Sequence, residues 1–143
     1  MARPFNVQLV SRSGIKFDGP AEYLRLPAAD GFLGVMADHA PLIVALVPGE
    51  IAVRLPGAPV PTYYAGSAGV AEIRDNAAVV LVDTLESADE IDESRAREAA
   101  DRARDRLEAK SDAEFDADRA AAALERAVAR LKVATRGGKT PEK

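Results

Sequence analysis

Composition changes abruptly near residue 86, and no single architecture suits both sides of the break. Residues 1–85 hold 8 of the 9 prolines and 8 of the 10 glycines, but only 14 charged side chains. Residues 86–143 hold 28 charged side chains in 58 positions, many alanines, and no proline before Pro141. Proline and glycine at the first density break helices and shape turns, so that part must be short extended pieces. Alanine and charge without proline favour helix. The chain therefore reads as a β domain over residues 1–85, a helical hairpin over residues 86–136 and a flexible tail over residues 137–143.

Phe5, Val7 and Leu9 alternate with Asn6 and Gln8, the period-two pattern of a half-buried strand. Tyr23 to Leu26 reads as another strand, stopped by Pro27. Leu42 to Val47 is apolar throughout and stops at Pro48-Gly49. Ile51 to Leu55, Thr62 to Ala65, Gly69 to Ile73 and Ala77 to Val82 complete the series, with Asp75-Asn76 as a turn. Many short strands with this punctuation predict an all-β sandwich or barrel. No helical stretch between them is long enough for a βαβ crossover.

In the second part, Ser87 and Glu90 have capping-box spacing, which predicts a helix from there to about Lys110. Ser111 and Glu114 repeat the signal, placing a turn near 111–115 and a second helix to about Thr135, ended by Gly137-Gly138. So short a join makes the helices antiparallel neighbours. Between Ile91 and Leu107 the apolar positions are nearly all alanine: Ala96, Ala99, Ala100 and Ala103. Alanine favours helix but buries little area, at about 25 cal/mol per Å². The hairpin is expected to be helical yet weakly held, as a conformational switch requires.

At 100° per residue, Arg119, Arg126 and Arg130 fall within about 40° of one another, with Leu124, Val128 and Leu131 roughly opposite. By geometry alone the arginine stripe reads as the solvated outer face of an amphipathic helix. Arg95 and Arg102, with Ala99 between them, share a face of the first helix. Guanidinium groups beside small residues suit a polyphosphate, but judged alone, helix-surface pairing such as Glu98 with Arg102 is the favoured reading. Gly138-Lys139-Thr140 resembles the end of a phosphate-binding loop, but Val133 stands where that loop needs glycine. His39 is the single histidine and has no evident serine or cysteine partner. The acidic run from Asp89 to Glu93 suits a helix N-terminus. No acid/base or nucleophile constellation stands out, and no catalytic residue is assigned.

The net charge of −4 argues against a basic field for nucleic acid. The absence of cysteine excludes disulfides and thiolate chemistry, and one histidine excludes a multi-histidine zinc site. The first residues lack a signal-peptide pattern, and no apolar run reaches the roughly 18 residues of a membrane span. A cytosolic, soluble protein is expected.

Gly31-Phe32-Leu33-Gly34-Val35-Met36-Ala37-Asp38-His39-Ala40-Pro41-Leu42 resembles the G-x-L-G-I-x-P-G-H-A-P-L signature of F-type ATP synthase epsilon subunits, with Pro48-Gly49 at the family's spacing. Gly66 to Ile73 resembles the family's S-G-G-F-x-E-V strand, and Ile91-Asp92-Glu93-Ser94-Arg95-Ala96 matches its I-D-x-x-R-A motif. Phe32 replaces the usual acidic or polar residue, and Ala37-Asp38 replaces Pro-Gly.

The resemblance implies an antiparallel β-sandwich followed by a two-helix hairpin, in a non-catalytic rotor subunit of a proton-transporting ATP synthase. It implies a sandwich bound to the gamma subunit and the c-ring, with Gly31, Phe32, Leu33 and His39 toward those partners. It implies a hairpin that folds on the sandwich or extends to block ATP hydrolysis, its stripe of Arg119, Arg126 and Arg130 meeting the beta subunits. In some bacterial members the folded hairpin binds ATP. With one residue inserted in the turn, the matching positions are Glu86, Ile91, Asp92, Arg95, Ala96, Arg102, Arg126 and Arg130. ATP would then be a regulatory ligand, with no required cofactor and no metal. The implied location is peripheral, on the cytoplasmic face of a bacterial membrane, held there only through the complex. Two alternatives remain: a rotor subunit without nucleotide binding, and a free-standing nucleotide-binding adaptor.

Overall fold

A computed structural model describes residues 2–108 and 117–137. Ten strands come first: β1 (Phe5–Ser11), β2 (Gly14–Ala21), β3 (Tyr23–Ala28), β4 (Gly31–Val35), β5 (Leu42–Leu46), β6 (Gly49–Arg54), β7 (Thr62–Gly66), β8 (Gly69–Arg74), β9 (Ala77–Val82) and β10 (Leu85–Ser87). A single 3-10 turn, Ala88–Glu90, leads to helices α1 (Glu93–Glu108) and α2 (Ala117–Gly137).

The strands form two five-stranded layers. One runs β10-β7-β6-β3, with β4 on the other edge of β3, and the second runs β5-β8-β9-β1-β2. A single pair, Ala28 opposite Leu46, joins them. Apolar residues of both layers meet between them, among them Phe5, Val7, Leu9, Leu24, Leu26, Val35, Ile51, Val53, Ile73 and Val80. The sandwich is antiparallel throughout except where β1 runs parallel to β9.

Alternation in β1 buries Phe5, Val7 and Leu9 as expected. β6 departs from alternation: Glu50, Ile51, Ala52 and Val53 are all buried. Its two faces are both covered, one by the second layer and the other by α2, which packs on β6 and β7. Pro27 does not stop β3, which continues to Ala28. Pairing with β6 is confined to Tyr23–Arg25, so the missing proline N–H falls where that ladder has already ended. β2 and β4 were not anticipated, because both are edge strands rich in glycine, and β10 is only three residues long.

Asp75 and Asn76 turn β8 into β9 with positive φ (51° and 56°), the left-handed pair that a two-residue hairpin needs. Gly69 is fixed by packing: a Cβ there would lie 2.1 Å from the Leu81 carbonyl oxygen.

The first helix starts later than its capping signal suggested. Ser87 belongs to β10, and its hydroxyl donates to Glu90 Oε1 at 3.0 Å instead of capping a backbone N–H. Asp92 is the residue that caps α1, its Oδ1 accepting from the Arg95 N–H at 3.1 Å. The expected turn near 111–115, its Ser111/Glu114 cap, the limit at Lys110 and residues 138–143 of the tail lie outside the described residues. α2 itself continues past Thr135 to Gly137.

α2 is buried on two opposite sides. Ala120 and Ala127 lie about 180° around the helix from Ala129 and Val133, and all four are buried. One side meets α1, whose own buried stripe is Ala96, Ala100 and Ala103. The other meets the sandwich. Leu124, Val128 and Leu131 are only half-buried, so the apolar stripe expected from them is not the deepest part of the contact.

Candidate functional site

Arg126 and Arg130 lie beside the sandwich and are not an isolated outer stripe. The sandwich-facing side of α2 adjoins them, and both border a cavity of about 430 Å³ at the seam. Its other walls are Ala65–Ala68 at the β7–β8 turn, Asp83, Thr84 and Glu86. Arg130 is held by Glu86 in a two-pronged pair, Nε to Oε1 at 2.8 Å and Nη2 to Oε2 at 3.0 Å. That geometry is the one a guanidinium uses for phosphate. Arg126 is exposed on the cavity rim. Because Glu86 lies just before α1, this contact also shows that α2 returns alongside the start of α1, so the helices are antiparallel.

The other residues anticipated for a nucleotide site are not part of this cavity's wall. Ile91 is half-buried after the 3-10 turn, and its N–H donates to the Ala88 carbonyl at 3.3 Å. Asp92 spends one carboxylate oxygen on the helix cap. Ala96 is fully buried. Arg95 and Arg102 are exposed on α1. Along that helix Glu93 pairs with Arg97 at 2.9 Å and Asp101 with Arg104 at 3.6 Å.

A second hold on the hairpin was missed by sequence reasoning. Glu50 is buried beneath α2 and pairs with Arg25 of β3 and with Arg136 in the last turn of α2, the latter at 3.2 Å. Arg136 also lies over the Tyr63 ring, 4.6 Å from its centroid. The available signal was an acid directly after Pro48-Gly49, opening an otherwise apolar strand.

The proposed partner-facing residues sit around the β3–β4 corner and the loop after it. Gly31 opens β4 with φ of 130°, Phe32 is 59% exposed, and Leu33 packs against the core. His39 is half-buried, with Nδ1 2.7 Å from the Ala40 carbonyl oxygen. Asp38 takes φ of 60° where the signature has glycine. Its carboxylate pairs with Arg3, and its N–H donates to Asn76 Oδ1 at 2.9 Å. Arg119 is exposed in the first turn of α2, away from the cavity wall.

The model of the ATP synthase delta/epsilon chain β-sandwich domain matches residues 4–88, and that of its long α-helix domain matches residues 89–135. The chain belongs to the ATP synthase delta/epsilon family. It is similar to the ATP synthase epsilon chain of Desulforamulus reducens, 38% identical over 94% of this chain and 99% of that one. The epsilon chain of Laribacter hongkongensis is 39% identical, over 89% and 90% of the two chains. As an epsilon chain it is a non-catalytic subunit of the ATP synthase. A chain in the Euglena gracilis mitochondrial ATP synthase superposes with a TM-score of 0.77 at 22% identity, covering 90% of this chain and 79% of its own. A chain of the Tetrahymena thermophila central stalk and c-ring superposes with a TM-score of 0.56 at 16% identity, covering 95% and 97%. At those identities the likeness concerns the fold. Among the described residues of this epsilon chain, no helix is long and apolar enough to cross a membrane, and no cluster of three metal-ligating side chains occurs.

Proposed function

We propose that this epsilon chain is a rotor subunit whose sandwich couples the c-ring to the gamma subunit, and whose hairpin switches ATP hydrolysis off when it leaves the sandwich. The supporting observation is the character of the seam. Alanines make much of the buried helix contact, and each alanine methyl contributes on the order of 0.8 kcal/mol where a buried leucine or valine gives about 1.5–3. Arginine–carboxylate pairs supply the directional hold. Such a seam can open without unfolding the sandwich.

Gamma binds the outer face of the β5-β8-β9 layer, where Ile43, Val70 and Leu81 are exposed side by side. The c-ring meets the corner of Gly31, Phe32, Leu33 and His39. In the extended state Arg119, Arg126 and Arg130 meet acidic surfaces of the beta subunits. In the docked state ATP occupies the seam cavity, with Arg126 as its first anchor and its phosphates displacing Glu86 from Arg130. A ligand confined to the docked state favours it by RT ln(1 + [L]/Kd), about 2.7 kcal/mol at a hundredfold excess. The subunit sits peripherally on the cytoplasmic face of a bacterial membrane, in a proton-driven complex.

The test is ATP hydrolysis by a reconstituted synthase carrying either the full chain or residues 1–91. The shortened chain should assemble and give faster hydrolysis. Equal rates would remove the inhibitory role.

A further inference from the structure

Phe32, Arg25, Glu50 and Arg136 form one file of contacts from the exposed β3–β4 corner to the last turn of α2. The Arg25 guanidinium lies 4.2 Å from the Phe32 ring centroid. Arg25 donates to Glu50 Oε1, and Arg136 Nη1 stands 3.2 Å from the same oxygen. The Glu50 side chain is 3% exposed, and its other oxygen has no hydrogen-bond partner among the described residues. A buried carboxylate is costly unless cations hold it. Arg25 stays with the sandwich whatever the hairpin does, whereas Arg136 leaves with α2.

We propose that Glu50 is a clasp for the hairpin, and that the exposed ring of Phe32 sets its strength through Arg25. The ring keeps water off one face of the Arg25 guanidinium. A less hydrated guanidinium holds the carboxylate more firmly, because the local dielectric is lower. A carboxylate so fixed is already in place for Arg136. Loss of the Phe32 contact hydrates Arg25, frees Glu50 to move and loosens α2. The signature's acidic or polar residue has no aromatic face to offer Arg25, so this coupling belongs to the Phe32 departure.

The inference rests on the reading that the hairpin undocks, and one experiment separates the two. The chain has no cysteine, so Ser13→Cys and Asp118→Cys accept a dye pair that reports docking by energy transfer. The docked-to-undocked ratio is followed through low urea, with far-ultraviolet circular dichroism monitoring the sandwich. Arg136→Ala should lower the ratio about tenfold, a partly exposed pair being worth less than a fully buried one. Phe32→Leu, which keeps an apolar side chain but loses the π face, should lower it about threefold. The two together should match Arg136→Ala alone. Independent multiplication of the two effects, or tighter docking in Phe32→Leu, would overturn the clasp. No undocked state in any variant would overturn both the clasp and the mobile hairpin.

Discussion

Gly69 and Glu90 make the sharpest demands on individual side chains. Gly69 faces the Leu81 carbonyl so closely that no Cβ fits without moving the β8–β9 ladder. Gly69→Ala should cost about 3 kcal/mol, read as a lower urea midpoint with an unchanged slope. Unchanged stability would mean the strands are spaced differently. Glu90 accepts from Lys16 Nζ at 2.7 Å and from the Ser87 hydroxyl, and the lysine contact first of all holds its carboxyl below the ordinary value. A lowered folded pKa adds stability above the ordinary carboxylate value of about 4.3. That stability is lost as pH falls through the lowered value. Lys16→Met should shift the Glu90 titration, followed by carboxyl NMR, back upward; an unmoved titration would show that the pair does not form. Burial, with Glu90 nearby, likewise pushes the Tyr64 hydroxyl above its usual value, so it stays neutral. Asp38 illustrates a limit of pattern reading. Its αL backbone was implied by the glycine it replaces, but the Arg3 and Asn76 contacts that support it join residues 35 and 38 positions away.

The elements divide by how local their causes are. β1 was legible from its local alternation, and β9 from a continuous apolar run bounded by the Asp75-Asn76 turn. β2 and β4 were not, because an edge strand rich in glycine carries little apolar pattern and is defined by its neighbour. The start of α1 was misjudged because Ser87 is taken by strand pairing with Tyr64, a competition no capping motif encodes. The face of α2 was half right: the arginines do cluster, but the helix is buried on two sides, so the stripe borders the sandwich. Arg130→Ala should leave Glu86 without its partner and weaken docking by about 1–2 kcal/mol, both side chains being partly exposed. Faster amide exchange across α2 with unchanged protection in β1 and β9 is the expected signature. Equal loss in the sandwich would mean that the pair supports the whole fold.

The molecule is a two-layer sandwich with a hairpin lying across the β10-β7-β6 side. The division into two architectures was visible in composition, and the motifs were enough to suggest the family. The candidate site was only partly legible. Glu86, Arg126 and Arg130 converge on one cavity, whereas the α1 residues of the same anticipated set do not join its wall. Glu50 left a local signal, but its pairing with Arg136 depends on how α2 crosses β6. On the proposed reading, a nucleotide that gates the hairpin would work chiefly through Arg126 and Arg130. Isothermal titration of ATP into the isolated chain, with Arg126→Ala alongside, puts this most directly to the test. Saturable binding that is weakened at least tenfold by Arg126→Ala is the predicted result. Absence of binding at millimolar ATP, or undiminished binding in Arg126→Ala, would contradict it.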